Sequence, residues 1–451
     1  MGTNAFVPGP RTLARGFRYR LRPLAAALAL AGFCAHAVAN PVTHIVNTCA
    51  DPPGAVLCGA DDGTLRQAVA CALDGDVVDA SQLQCSTITL SSPLIVPKLG
   101  LTIAGPGRKS LTIDAGDQFR TVIHNGNPGD TLTMRDLSIA HGHFTNTYTY
   151  GGGGGCIFSS GNVYLESVDV HDCYLAATQI VASGAGIFAN GDVKLVASAV
   201  TYSSVRGLAP GLKYEAARGG GIYAQSVELD ASTISGNLAD TTQNNPTYGG
   251  GVYARYFVAN YSTIAYNTAT ERAGVSAAES FRLVDSTISS NTASNADGAA
   301  RILNGIAYLY NSTVALNSAD KAGAVGGISS VSLFMESTIV ARNTATSVEA
   351  DVGAGAGGIG GGRNLIMAAN APLPVDTITD DPLLGPLQDN GGPSATHALL
   401  RGSPAIDNGT NPLQLAFDQS DMTRVQGVAA DIGSFEVEAS LFSSGFETLV
   451  E

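Results

Sequence analysis

Apolar and polar residues alternate with period two along this chain, in runs of three to six, and the runs recur. One phrase returns as Leu111-Thr-Ile-Asp-Ala-Gly116, Leu137-Ser-Ile-Ala-His-Gly142, Val168-Asp-Val-His-Asp-Cys173, Ser198-Ala-Val-Thr-Tyr-Ser203 and Ser232-Thr-Ile-Ser-Gly-Asn237. It continues as Ser262-Thr-Ile-Ala-Tyr-Asn267, Ser286-Thr-Ile-Ser-Ser-Asn291, Ser312-Thr-Val-Ala-Leu-Asn317 and Ser337-Thr-Ile-Val-Ala-Arg-Asn343. The final positions are 24 to 34 residues apart. Between them lies a second phrase: Gly155-Cys-Ile-Phe158, Gly184-Ala-Gly-Ile-Phe188, Gly219-Gly-Gly-Ile-Tyr223 and Gly249-Gly-Gly-Val-Tyr253, then the looser Ala273-Gly-Val275 and Gly326-Gly-Ile328. No repeat carries a helical apolar stripe, so each unit reads as short strands separated by Gly or Asn bends. Strands this short must pair with the same strand one unit later. The expected fold is therefore all-β, a single-stranded parallel β-helix of about nine coils, roughly 40 Å long at the ~4.8 Å strand spacing. Asn is expected to take the left-handed bend at the phrase end and to hydrogen-bond from coil to coil.

These phrases resemble those of bacterial right-handed parallel β-helix proteins of the pectin-lyase-like class. Gly-Gly-Ile paired with Ser-Thr-Ile-x-x-Asn is similar to the repeats of polymorphic outer-membrane proteins. Gly63-Thr-Leu-Arg-Gln-Ala-Val69, with Gly75-Asp76 and Leu101-Thr-Ile-Ala-Gly-Pro-Gly107, resembles the segment that opens many such solenoids. Asp381–Pro393, Gly402-Ser-Pro-Ala-Ile-Asp407 and Asp431-Ile-Gly-Ser-Phe-Glu436 are similar to a choice-of-anchor-type C-terminal module. The resemblance implies a right-handed coil with capped ends, since an open end exposes unpaired strand edges. The expected organisation is a signal peptide over 1–39, a disulfide-rich N-terminal cap over 40–99 with a short helix at Leu65–Leu73, the solenoid over 100–369, a cap or anchor-type module over 370–438 that closes or buttresses the far end, and a tail over 439–451. No stretch of autotransporter-barrel length follows the repeats, a departure that argues against self-translocation. Leu441-Phe-Ser-Ser-Gly-Phe-Glu447 resembles a short terminal tag of exported Gram-negative proteins.

The signal reading rests on five arginines (Arg11, Arg15, Arg18, Arg20, Arg22) ahead of the apolar run Leu24–Phe33, then Ala37-Val38-Ala39. That run is too short to span a bilayer, so no transmembrane segment is expected in the mature chain, which would be secreted or held at the outer surface. Cleavage also removes Cys34 and leaves six cysteines: Cys49, Cys58, Cys71, Cys85, Cys156 and Cys173. Disulfides are expected, with connectivity open, although Cys156 and Cys173 stand apart and could pair with each other. Charge changes the picture further. The whole sequence carries 24 Lys and Arg against 38 Asp and Glu, and removing the five signal arginines leaves 19 against 38, a net charge of −19. Nucleic acid is excluded as a partner, and an acidic polymer would need bridging cations.

Stacking converts spacing into neighbours. The register sets Arg135 under Glu166 and His141 under Asp172, with Asp169 and His171 outward on one strand and Asp136 and His143 near. His141 or His171 as general base, oriented by Asp169 or Asp172, would suit a polysaccharide lyase or glycoside hydrolase; a solvated surface ladder is the plainer alternative. No metal-ligand spacing appears and no cofactor is called for. Ca²⁺ at Asp61-Asp62, Asp380-Asp381 or Asp418/Asp421 competes with a reading of these residues as solvated turns. The glycine runs 151–155 and 353–362 lack the Lys-Ser/Thr and helix of a phosphate loop and are expected as bends needing close backbone approach. By alternation Phe158, Phe188, Tyr223 and Tyr253 form an outward ladder beside the long loops at 144–150, 176–183, 206–217 and 240–247. Ring faces there could hold an extracellular glycan or another surface ligand, unless the loops bury them. A non-catalytic, adhesin-like surface protein is the leading expectation, and the enzyme is the alternative.

Overall fold

The computed structural model describes residues 41–438 apart from 55–57, 59–62, 98–99, 148–152, 209–214, 243–244, 322–323 and 347–350. The expected signal over 1–39 and the tail over 439–451 lie outside the described residues. Among those described, one helix, Leu65–Cys71, accompanies a parallel β-solenoid of about ten turns. No helix among them is long and apolar enough to cross a membrane. The turn count exceeds the expected nine because Thr43–Ile45, Val77–Asp79, Thr87–Thr89 and Leu94–Val96, within the stretch assigned to a cap, already pair in parallel with the turns that follow. Leu65 and Val69 of the helix join the same core.

Each turn contributes strands to three faces. On the first, Ile157, Ile187, Ile222, Val252 and Val275 stand in register. On the second, Leu165, Leu195, Leu229, Ala259 and Leu283 do so. On the third, which carries the Ser-Thr-Ile phrase, the column is Val200, Ile234, Ile264, Ile288, Val314 and Val340. All these side chains are fully buried, each adding roughly 1.5–3 kcal/mol by leaving water. The long connections are not plain loops. Strands such as Tyr174–Ala177, Ser204–Gly207 and Leu238–Thr241 form a further parallel sheet. Its small core is made of Leu175, Val205, Ala182, Ala217, Ala239 and similar residues.

Two buried polar columns flank the third face. Ser232, Ser262 and Ser286 each accept, through Oγ, the backbone N–H of the preceding turn's serine at 3.0–3.1 Å. In the second column, Nδ2 of Asn237, Asn267, Asn291 and Asn317 donates to Oδ1 of the next asparagine at 2.8–3.0 Å. The backbone N–H of each donates to the same oxygen at 3.0 Å. The column ends on Asp351, whose Oδ1 accepts Asn343 Nδ2 at 2.8 Å and whose carboxyl burial pushes up to about 6. The left-handed residue is not the asparagine, as expected, but the one before it: Gly236, Tyr266, Ser290, Leu316 and Arg342 all have φ between 56° and 67°. The bend therefore falls one position earlier, which aims the asparagine side chain inward. Opposite this column the third glycine of each Gly-Gly-Gly phrase is obligatory. A Cβ on Gly221 or Gly251 would sit 3.0 Å from the Nδ2 of Asn237 or Asn267.

In an earlier turn the same two positions hold Cys156 and Cys173, which are bonded to each other. The remaining pairs are Cys49–Cys85 and Cys58–Cys71. The glycine run 353–362, expected as bends, lies instead in the strand Val352–Gly362, paired in parallel with Ile328–Glu336. Gly361 approaches so closely that a Cβ would overlap the Met335 carbonyl.

The segment beyond residue 376, expected at the solenoid end, runs back along the third face. Its hairpin, Leu384–Gln388 with Thr396–Leu399, and Ile432 pack with Ile339, Ala341 and Leu365. The outward hydroxyls of that face are bridged by this strap. Thr263 donates to the Ala395 carbonyl at 2.6 Å, Thr287 to Gln419 Oε1 at 2.7 Å, and Ser289 pairs with His397 Nε2 at 2.8 Å. Arg424 is fully buried between Asp285 of the solenoid (3.3 Å) and the carbonyls of Asp431 and Gly433 (2.6 and 2.9 Å). Burial pushes Asp285 well above the ordinary carboxyl range, raises Asp418 and Asp431, and takes Glu436 up to about 7.

Two outcomes follow from these contacts. Replacing Asn291 by Ala removes the acceptor of the Asn267 N–H and one of the two acceptors of Asn267 Nδ2, which keeps only the Ile234 carbonyl, so the apparent stability in urea should fall by about 3 kcal/mol; an unchanged midpoint would mean that the column bears no load. Glu436 holds its proton more tightly folded than unfolded. Its contribution is therefore complete below its ordinary value of 4.5 and is lost as pH rises through about 7. Glu436→Gln should flatten that fall, giving strap amides slower to exchange hydrogen at pH 8 but unchanged at pH 4.

Candidate functional site

The polar residues singled out in the sequence lie on neighbouring columns but pair differently from expectation. Arg135 meets Glu166 at 3.0 Å, an exposed pair that contributes little. Asp169 meets Arg108 at 3.4 Å, and Arg108 also donates to the Ala197 carbonyl at 2.8 Å. Burial raises the Asp169 carboxyl against the pull of Arg108 and His171. His141 stands below Asp172 in register but takes Asp114 of the preceding turn as its partner, Nδ1 to Oδ2 at 3.0 Å. The reason is local: Asp114 stands opposite Ala140, so its carboxylate reaches the next residue. Asp172 bonds its own neighbour His171 at 2.7 Å. The two imidazoles meet edge to face with centroids 6.1 Å apart. Partial burial opposes the protonation of His141, but the Asp114 hydrogen bond and charge, aided by Asp117 and Asp172, outweigh it and raise its pKa. His143 rests on Tyr174 at 4.7 Å, and Asp136 is exposed at φ 54°. The arrangement supplies two carboxylate–imidazole pairs side by side, each able to hold or pass a proton at a ring nitrogen.

Phe158, Phe188, Tyr223 and Tyr253 form an outward, half-buried ladder. Their centroids are 5.5, 5.0 and 5.7 Å apart with planes within 1–19° of parallel. The rings cover one another's faces. Arg120 lies 3.5 Å from the Phe144 centroid and 5.0 Å from that of Phe158. Arg218 sits 4.5 Å from Tyr223 and 5.2 Å from Tyr253. Sugar stacking on ring faces within the ladder, expected from the sequence, is thus replaced by presentation of edges and hydroxyls. At its C-terminal end these edges border a groove of about 340 Å³ with Asn190, Gln225, Arg255 and Glu279. Arg255 Nε donates to Glu279 Oε1 at 2.6 Å, and the Tyr256 hydroxyl donates to Oε2 at 2.8 Å. These bonds hold the Glu279 carboxyl below its usual range. A larger cavity of about 420 Å³, beside Thr43 and His44, is lined by Thr64, Gln67 and Ala68 of the opening segment and by Cys71, and by none of the candidate catalytic or glycan-binding residues.

Two of the candidate Ca²⁺ carboxylates are otherwise engaged. Asp381 pairs with Arg342 at 2.8 Å. Asp418 is buried and accepts from Ser420, Met422 and the Glu436 N–H. Asp380 and Asp421 are exposed, and Asp61-Asp62 lies outside the described residues. No group of three or more His, Cys, Asp or Glu among the described residues is arranged to hold a metal ion. The reading of the sequence passed over Tyr202 and Tyr266, the two most exposed tyrosines among the described residues at 68% and 54%. The signal was present, since both occupy the penultimate phrase position shared with His141 and Asp172. Their left-handed backbones (φ 50° and 57°) cost a bulky residue about 1–2 kcal/mol each.

No protein-family model matches the chain, and no curated protein does. Among solved structures, the crystal structure of pectate lyase Pel9A aligns over 89% of this chain and 97% of its own, at 12% identity and a TM-score of 0.48. A likeness at this level carries no residue role across.

The His141–Asp114 pair has a direct check. Asp114→Asn should move the His141 titration midpoint downward in an NMR pH series, and an unmoved midpoint would show that the carboxylate does not govern that ring.

Proposed function

We propose that this chain is an exported, non-catalytic β-helix protein of the cell surface or its surroundings that binds an extracellular glycan. The right-handed coil, the outer-membrane-protein-like repeats and the anchor-type C-terminal module belong to this reading, and the three disulfides support export. The observation that carries it is the groove at the end of the aromatic ladder. There two tyrosine edges, two side-chain amides and a fixed Arg255–Glu279 pair converge on a space of about 340 Å³. Amides and a charge pair locked by mutual hydrogen bonds offer donors and acceptors to sugar hydroxyls at little ordering cost. The acidic balance of the sequence favours an uncharged glycan over a polyanion.

The enzyme alternative draws on the His141–Asp114 and His171–Asp172 pairs. One experiment separates the two. Wild-type protein is screened on immobilised polysaccharides, with and without Ca²⁺, for retention and for new reducing or unsaturated ends. Retention without new ends, weakened at least about tenfold by Tyr253→Ala or Arg255→Ala, is the expected result. Product formation that vanishes in a His141→Ala, His171→Ala double variant would replace binding with catalysis.

A further inference from the structure

Positions 141, 172, 202, 236, 266, 290, 316 and 342 stand one above another at the bend before the asparagine column, all with φ between 50° and 67°. The backbone there suits Gly, and position 236 has it. Positions 202 and 266 carry tyrosines instead, in a strained conformation and largely in solvent. Neither hydroxyl has a hydrogen-bond partner among the described residues. Neither ring stacks on another ring or under a guanidinium, in contrast to Tyr223 and Tyr253. The Tyr202 ring lies against the bare α-carbon of Gly236, where a Cβ would come within 2.8 Å of it. The two rings are two turns apart, ~10 Å along the axis, about the length of a disaccharide.

The surroundings define what could lie on them. Thr201, Ser235 and Ala265 flank the line on one side, and Ser204, Leu238 and Thr268 on the other, so that four of the six bordering side chains carry hydroxyls. The axial line continues below Tyr202 to the His171–Asp172 and His141–Asp114 pairs. A nucleic acid would need cations, yet Arg108 is engaged by Asp169 and the Ala197 carbonyl, and Arg206 by Asp240. An apolar protein surface would need a continuous patch, whereas these rings are separated by glycine and bordered by hydroxyls. A linear sugar polymer presents apolar ring faces and hydroxyl edges at a regular spacing.

We propose that the Tyr266–Gly236–Tyr202 line, running onto the His171–Asp172 pair, is a binding surface for an extended, uncharged polysaccharide lying along the solenoid axis, with the two tyrosines as platforms for alternate sugar units. This surface is separate from the groove at Tyr253 and does not depend on it. The test uses the folded mature chain and calorimetric titration with cellohexaose, xylohexaose and mannohexaose. At least one hexasaccharide should bind. Tyr202→Asn and Tyr266→Asn should each weaken it about tenfold or more, and the disaccharide of the same series, too short to place a sugar unit on both rings, should bind comparably weakly. Asn tolerates the left-handed bend, so neither variant should lower the melting midpoint, and loss of binding would not reflect misfolding. Loss in these variants with Tyr253→Ala unaffected supports the line and removes the groove. Wild-type affinity in the Tyr202→Asn, Tyr266→Asn double variant, with loss in Tyr253→Ala, overturns the line and leaves the groove. Failure of all three hexasaccharides to bind overturns the line as well.

Discussion

The buried asparagine column is the constraint on which the other features rest. Each amide from Asn237 to Asn317 satisfies the turn before it and is satisfied by the turn after it. A single hydrogen bond of this kind nets only about 1 kcal/mol, but leaving its partners unmade in the core costs more. Register is therefore held one turn at a time. Turns of 24 to 34 residues coexist because the length differences are absorbed away from the column, in the connections leading to the glycine phrase and in register shifts within the long strands, as between Ala277 and Ser280. The glycines opposite answer a related demand, since a Cβ there would overlap the next turn's backbone carbonyl and crowd the amides. Where the asparagine is absent, the Cys156–Cys173 bond fills the same corner covalently.

Once register is held, the outer surface becomes a set of straight columns, and the spacing decides what an aromatic can do. Rings in consecutive turns are one strand spacing apart, close to the thickness of a stacked pair. Phe158, Phe188, Tyr223 and Tyr253 accordingly spend their faces on one another and stiffen the flank. Rings that skip a turn cannot reach each other. Tyr202 and Tyr266, with Gly236 between them, stay largely in solvent without ring partners, and the bare Gly236 makes room for the Tyr202 ring beside it. A ladder unbroken over successive turns is thus a structural element, and an interrupted one is a candidate for recognition.

The repeats were legible because inward Ile, Val and Leu columns and the Asn phrase recur at matching intervals, and strand periodicity sorts inside from outside without ambiguity. What recurs, however, says nothing of what docks on it. The strap beyond residue 376 has no counterpart among the repeats, and its contacts join Gln419 to Thr263 and Arg424 to Asp285 across more than 130 residues. The His141 partner was misread for a related reason: one-turn register was visible, but a left-handed bend turns the ring back toward Asp114 in the previous turn. The glycine run 353–362 looked like bends because composition alone cannot distinguish a turn from a strand pressed against another backbone. Tyr202 and Tyr266 stood in the quoted phrases throughout, and only their exposure sets them apart.

The strap also determines which part of the third face can meet a ligand. It covers the outward positions at Thr263, Thr287, Thr313 and Ile339 and stops short of Thr233 and Ser235. Arg108 lies over the other end at Asp169. The window between them borders the tyrosine line. Its edge is set by hydrogen bonds of Ser394, Ala395 and Gln419 to Tyr261, Ser262 and Thr263, while apolar contacts at Ile339, Leu384, Leu399 and Ile432 hold the strap three turns further on. The buried charges add little to that adhesion, since taking Arg424 and four carboxylates out of water offsets most of their mutual attraction. They give the contact a pH response instead: protonated carboxyls cost less to bury, so the strap is held most firmly in acid and least firmly above about pH 7. A window whose border is hydrogen-bonded and whose fastening titrates keeps its position over the acid range and loosens where Glu436 ionises.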